Sequence, residues 1–433
     1  MRALIRDPAL VSPGRYRRFI RRAQLSGMLA DHLYRGEPYL ALNALVLEGS
    51  EGARLLPKLS ETFASVFDKA GRVLASRVPA LVEMGFPWAA AELLAAEVPR
   101  MPLAGRFDFV RDGSGAWWLL EFNADTPSGV REAVVADELV HRMLPQAHAL
   151  ARPNARLGPD LVSAFSCAVS GMPEGLALGL VTDAGELEDL AQMAFTAELL
   201  RAPLARAGVD VVLGDINNLH ATRKGLQLCG RPIGSLYRYV AFESMFGGTA
   251  FAGIFDAASS GQVRLLNGLY GLLLQHKGLM AWVWEHQDEG LFTAAEQAAI
   301  RTHFPPTWMV AALPPDVRPA DLVLKQVFGR EGEEVYFGDN LSTGDLREIA
   351  RRGTYVAQQR IHTVPIEAEV PSSLGSELMS GYVTLGSFVI EGRWAGYYSR
   401  LGQRIVTAQA KWLATFVDSG APAPAARQKP ICE

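Results

Sequence analysis

Through the first hundred positions apolar residues recur every three to four places. "PYLALNALVLEGSEGARLLPKLSETFASVFDKAGRVLA" and "PWAAAELLAAEVPR" both carry this period, which predicts helices, with Ser60 and Pro87 as start signals. At Gly105 the period drops to two. "GRFDFVRDGSGAWWLLEFNAD" reads as two strands around a turn at Asp112–Gly115, followed by a helix from about Val130 to Leu144. From Leu176 the pattern changes again. "GLALGLVTD", "LEDLAQMAFTAELLRAPLARAG" and "VDVVLGD" read as strand, helix and strand, the signature of a parallel βαβ unit. The first turn, Thr182-Asp183-Ala184-Gly185, lacks a phosphate-binding glycine fingerprint, so a dinucleotide site is not supported. Farther on, "LYRYVAFESMFGG", "VRLLNGLYGLLLQHKGLMAWVW" and "ADLVLKQVFGREGEEVYFG" read as apolar strands with polar punctuation. "GYVTLGSFVIEGRWAGYYSRLG" reads as a strand pair turning at Glu391-Gly392. The final "SGAPAPAARQKPICE" reads as a loose tail.

Composition narrows the class. The chain has 433 residues, 49% of them hydrophobic and 20% charged, as in a large globular protein and unlike a disordered one. A net charge of -4 argues against a general nucleic-acid binder. No run of about 18 apolar residues suggests a membrane span. Cys167, Cys229 and Cys432 are scattered, which predicts unpaired thiols in a reducing compartment. The arginine-rich start lacks a secretory h-region. Cytoplasmic location is the expectation.

The hairpin is where chemistry enters. On a strand, residues two apart share a face, so Arg106 and Asp108 point one way and Phe107 and Phe109 the other. On the second strand Leu119, Glu121 and Asn123 share a face, with Trp118, Leu120 and Phe122 opposite. A four-residue turn puts Arg111 opposite Ala116 and Arg106 opposite Glu121, with Asp108 diagonal to Glu121. Two carboxylates and an amide oxygen are hard ligands suited to Mg²⁺, which shares its shell with substrate phosphates. An arginine beside them suits a transferring phosphoryl group. A half-exposed salt-bridge ladder would use the same residues, and the spacing alone leaves that open.

"RFDF" followed by "LLEFNADTPSG" resembles the glutathionylspermidine synthase family, whose synthetase domain is a circularly permuted ATP-grasp ligase. The segments "LLQHKGLMAWVW", "LVLKQVFGREGEEVYF", "YVAQQRI" and "LGSFVIEGRWAGYYSRLG" are similar to later family blocks, in family order, over roughly Met101 to Gly402. The resemblance implies an α/β (α+β) fold with a helical N-terminal region and a βαβ pre-ATP-grasp-like domain. It divides the chain into a helical region (1–100), the hairpin with its helix (101–160), a βαβ substrate-side domain (161–245), ATP-binding lobes (246–415) and a tail (416–433).

Residue by residue, it implies that Asp108, Glu121 and Asn123 hold magnesium and that Arg106 is the catalytic arginine at the phosphoryl group. Lys277 and Lys325 would contact the nucleotide, and Gly329, Arg330 and Gly332 would form a flexible loop over the triphosphate. Gln358 or Gln359 would lie at the adenine hinge, and Arg400 at the phosphate or acyl end. Thr126, Ser128 and Glu243 would lie on the substrate side. His276 stands where the family has Asn, and Val240-Ala241-Phe242 replaces an aromatic-rich stretch before Glu243, which leaves substrate identity undecided. Bifunctional relatives add an amidase with a catalytic cysteine. No cysteine precedes Arg106, so synthetase activity alone is expected. The implied reaction is ATP- and Mg-dependent amide formation between a small-molecule or peptide carboxylate and an amine, with neither nucleic acid nor membrane as partner. A homodimer is compatible with it. The alternatives are a nucleotide-binding scaffold or sensor without ligation, and a carboxylate kinase without an amine acceptor.

Overall fold

The computed structural model describes residues 1–28, 33–34, 36–246, 249–330, 332, 334–372, 375–405, 407 and 409–420; the tail with Cys432 lies outside these. Strands Ala104–Arg111 and Trp117–Asn123 pair antiparallel as the period predicts, but in another register. The Asp112 N–H donates to the Ala116 carbonyl at 2.9 Å, so the turn closes over three residues, one fewer than expected, and Arg111 pairs with Trp117. The ladder then shifts between Asp108 and Phe109: Phe109 faces Leu119, Asp108 faces Glu121, and Arg106 faces Asn123. Leu120 is the extra residue of a β-bulge. Leu119 therefore leaves the face of Glu121 and joins Phe107, Phe109 and Trp117 in the core. Because Asp108 and Glu121 are direct partners, the bulge keeps both acids on one face.

Helix Leu56–Ala75 covers the hairpin's apolar face. Phe63 and Phe67 pack on Phe107, Phe109 and Phe122, and the Phe107 and Phe122 rings stack at 3.9 Å. Each buried phenylalanine contributes roughly 1.5–3 kcal/mol, against about 1 kcal/mol for a turn hydrogen bond, so this cluster fixes the hairpin's back. Ser60 lies inside that helix, not at its start. Its hydroxyl bonds the Leu56 carbonyl at 2.8 Å and Ser387 at 2.7 Å. Pro87 does precede helix Trp88–Ala96 as its N-cap.

The hairpin is the edge of a large sheet. Inward from it lie Gly375–Ile390, Arg393–Gly402, Lys411–Asp418 and Leu40–Glu48, the last two parallel. Leu40–Glu48 is thus a strand where the spacing predicts helix. It is buried at every position but the last, and a strand covered on both faces shows no alternation to betray it. The same ambiguity reversed the reading of "VRLLNGLYGLLLQHKGLMAWVW". Only Arg264–Leu265 is strand there, followed by helices Leu269–Gln275 and Lys277–Glu285, apolar nearly all round.

The expected βαβ unit is present: Ala177–Thr182 and Asp210–Asp215 run parallel, joined by helix Leu187–Ala205, and Arg231–Tyr239 extends the sheet. A smaller sheet orders Thr307–Met309, Tyr355–Gln359, Leu322–Gln326 and Val335–Phe337. Glu391 and Gly392 form the predicted tight turn, with φ 48° and 81°. Cys229 is an exposed free thiol and Cys167 is disulfide-bonded, so the expectation of unpaired thiols fails for Cys167. No helix among the described residues is long and apolar enough to cross a membrane.

Candidate active site

Arg106 lies flat on the sheet. Its Nε and Nη2 donate to the two oxygens of Asp108 at 2.7 and 3.0 Å, and Nη1 donates to the Ser128 carbonyl at 2.7 Å and hydroxyl at 3.2 Å. Gly386 on the neighbouring strand makes room for it: a Cβ there would meet Arg106 Cδ at 2.6 Å. Arg400 Nη2 adds a bond to Asp108 Oδ2 at 2.9 Å. Burial alone would raise the pKa of Asp108, but Arg106 and then Arg400 outweigh it and hold the carboxyl below its ordinary range. Glu121, directly across the hairpin, keeps 29% of its side chain exposed and has Lys277 Nζ at 3.5 Å. Its pKa is lowered too, with burial opposed by Lys277 and Lys325. Asn123 donates to the Arg106 carbonyl at 3.4 Å.

The facing wall comes from other elements. Lys277 begins helix Lys277–Glu285, whose N-cap is His276: the Gly278 N–H donates to His276 Nδ1 at 3.1 Å. Burial, followed by Lys277, pushes the His276 pKa down to about 3, so this ring is neutral. Lys277 Nζ donates to the Gly329 carbonyl at 2.6 Å. Lys325, on the strand Leu322–Gln326, donates to Gln358 Oε1 at 2.8 Å and to the Leu120 carbonyl at 3.2 Å. Gln358 Nε2 reaches the same carbonyl at 3.4 Å. The bulge residue thus receives both side chains of the facing sheet. Burial lowers the Lys325 pKa to about 8.

Between these walls lies a cleft of about 1130 Å³, counting space open to solvent. Asp108, Glu121, Lys277, Lys325, Gly329, Gly332, Gln358, Gln359 and Arg400 all line it, with Val323, Val335 and Phe337 as apolar wall. The other predicted residues gather beside it. Arg330 turns to a second cluster, donating to Glu243 at 3.0 Å, Thr126 Oγ1 at 2.8 Å and Asp125 Oδ2 at 2.8 Å. Ser128 sits on Arg106. Asp125 and Arg238 were not anticipated. They form a buried ion pair, and Arg238 Cζ lies 3.5 Å from the Phe242 ring centroid. The available signal was Asp125 itself, which continues the two-residue spacing of Glu121 and Asn123.

The donor set has the chemistry of a magnesium site. Asp108, Glu121 and Asn123 offer oxygens only, and no group of three His, Cys, Asp or Glu able to hold a metal occurs among the described residues. Two acids and an amide fit a hard cation that completes its shell with water and phosphate, and do not fit a closed structural site.

The family model described as "Glutathionylspermidine synthase preATP-grasp" matches residues 21–418. A Haemophilus influenzae protein provisionally named an acid–amine ligase is 26% identical over 308 residues, 66% of this chain and 67% of that protein. A Frankia alni protein provisionally named a glutamate–cysteine ligase is 29% identical over 180 residues, 39% of this chain; the match spans only 20% of that relative's length. Among solved structures, a glutathione synthetase-like effector from Globodera pallida in its apo form superposes with a TM-score of 0.69 at 12% identity, covering 96% of this chain and 98% of that one. At that identity the likeness is one of fold.

Proposed function

The chain belongs to the glutathionylspermidine synthase family, and from that premise we propose that it is a circularly permuted ATP-grasp ligase joining a carboxylate to an amine at the expense of ATP. One observation carries this reading: among the described residues the cleft is lined by Lys277, Lys325 and Arg400 against two acids, Asp108 and Glu121, with Arg106 bonded to Asp108 beside it. That buried surplus of positive charge calls for a polyanion, and a triphosphate beside an apolar wall suits it.

A carboxylate does not condense with an amine in water, so it is first activated. One carboxylate oxygen attacks the γ-phosphorus and ADP departs; the amine nitrogen then attacks the acyl carbon, phosphate leaves, and the amine proton passes to solvent. Arg106 and Arg400, both fixed by Asp108, face the charge that builds on the transferring group. Lys277 and Lys325 hold the nucleotide phosphates, and Gly329 and Gly332 close on them, excluding water from the acyl phosphate. Asp108, Glu121 and Asn123 would hold magnesium, which supplies charge neutralisation when bound. Thr126, Ser128 and Glu243 border the carboxylate and amine side.

The test is phosphate release from ATP and magnesium with panels of acids and amines, amine dependence separating ligation from simple carboxylate phosphorylation. Arg106→Ala and Glu121→Ala are expected to lose about 100-fold or more in kcat. Turnover of either at the wild-type rate overturns the proposal.

A further inference from the structure

Arg106 and Arg400 come from different strands yet share two partners. The first is Asp108. The second is Tyr398, whose ring centroid lies 5.0 Å from Arg106 Cζ and 5.7 Å from Arg400 Cζ. Its position follows from the register: Asp108 pairs with Gly386, and Gly386 pairs with Tyr398, so the three lie in a row across adjacent strands. The missing Cβ at Gly386 lets Arg106 cross that row toward the ring. Gly129 makes room for the ring itself, since a Cβ there would stand 2.5 Å from Tyr398. The phenol is anchored away from the cleft. It hydrogen-bonds the Tyr39 hydroxyl, which also reaches Glu132 Oε1 at 3.4 Å. Tyr398 is 5% exposed.

We propose that Tyr398 is a positioning residue, a single aromatic platform that holds both guanidinium planes so that they act together on the transferring phosphoryl group. The inference rests on the ligase reading of the cleft and goes beyond it, since Tyr398 does not itself line the cleft. Hydrogen bonds fix only edges of a guanidinium: Asp108 and Ser128 for Arg106, Asp108 for Arg400. The ring adds a face, and a planar cation held by edge and face has no freedom to tilt. Because the ring does this and the hydroxyl only anchors it, the phenyl group should suffice.

Tyr398→Phe is therefore expected to keep kcat and the KM for ATP within about threefold of wild type, whereas Tyr398→Leu loses roughly 30- to 100-fold in kcat with KM for ATP little changed, the cost of a misplaced group acting only in the transition state. Equal loss in both variants, or no loss in Tyr398→Leu, overturns the platform. Should Tyr398→Leu fail to fold, the wild-type protein still decides: nitrogen-15 NMR of its arginine side chains is expected to give slow rotation and ring-current shifts for both Arg106 and Arg400, and freely rotating, unshifted groups overturn the inference. That measurement needs no turnover. Immobile arginines in a protein that releases no phosphate with any pair would sink the ligase reading and leave the platform standing.

Discussion

At the scale of single residues, the site depends on charges that burial has made conditional. Lys325 titrates near 8 because its ammonium is desolvated. On the proposed function its protonated form would meet phosphate, so affinity for Mg-ATP should be level below that pH and fall as pH rises through about 8. Calorimetric titration across pH 6.5–9.5 checks this, and Lys325→Arg, charged throughout, should flatten the profile (~pH-independent over this range). Gly386→Ala is the steric counterpart. Its Cβ would push Arg106 Cδ from 2.6 Å, and the flexible side chain can yield, so the melting temperature should hardly change while kcat falls about 10- to 100-fold. A normal kcat would show that Arg106 need not lie where it does. Much of this level was legible in advance: strand parity alone put Arg106 and Asp108 on one face and Phe107 and Phe109 on the other. Gly386, Tyr398 and Arg238 were not, because nothing in a local stretch announces a neighbour contributed by a distant strand.

At the scale of elements, the bulge decides what the hairpin can do. Taking Leu120 out would leave Leu119 beside Glu121 in a regular ladder, with Phe109 and Asp108 keeping their present partners. Deleting Leu120 should therefore preserve the fold and both faces. It would, however, remove the carbonyl that receives Lys325 and Gln358. We expect a folded protein by circular dichroism with Mg-ATP affinity weaker by about tenfold, the cost of about one hydrogen bond to a charged group. Unchanged affinity would make the bulge incidental. Period counting could not foresee this, since an inserted residue obeys no period. It failed for a related reason at Leu40–Glu48 and in the helices around Lys277, where burial on all sides erases the polar face that distinguishes strand from helix. It succeeded for the βαβ unit and the Glu391-Gly392 turn, where length and turn chemistry speak locally.

At the scale of the whole molecule, the large sheet is completed only where the parallel strand Lys411–Asp418 enters between Leu40–Glu48 and Arg393–Gly402. Trp412, Leu413, Phe416 and Val417 are all buried there. At roughly 1.5–3 kcal/mol each, their burial rivals the whole stability of an ordinary domain, about 5–15 kcal/mol. A chain ending before Lys411 should thus show no cooperative unfolding transition, and a normal melt would contradict the role given to this strand. In the intact protein, nucleotide should act in the opposite direction: Mg-ATP at about 100 times its Kd adds about 2.7 kcal/mol through mass action, visible as a raised melting temperature. The family resemblance gave this level its outline, while the closing of the sheet came from the structure.

That late-entering strand has a consequence on the ribosome. Roughly 360 residues separate Leu40–Glu48 from its partner, and at the usual pace of about 5–20 residues per second synthesis takes some 20–70 s to cover them. Throughout that interval a nine-residue, almost wholly apolar strand has been made and lacks the neighbour it will lie beside. The nascent chain must shelter that edge or have it sheltered. Production of this protein should accordingly respond to holdase chaperones and to slower growth temperature more than its final stability would suggest.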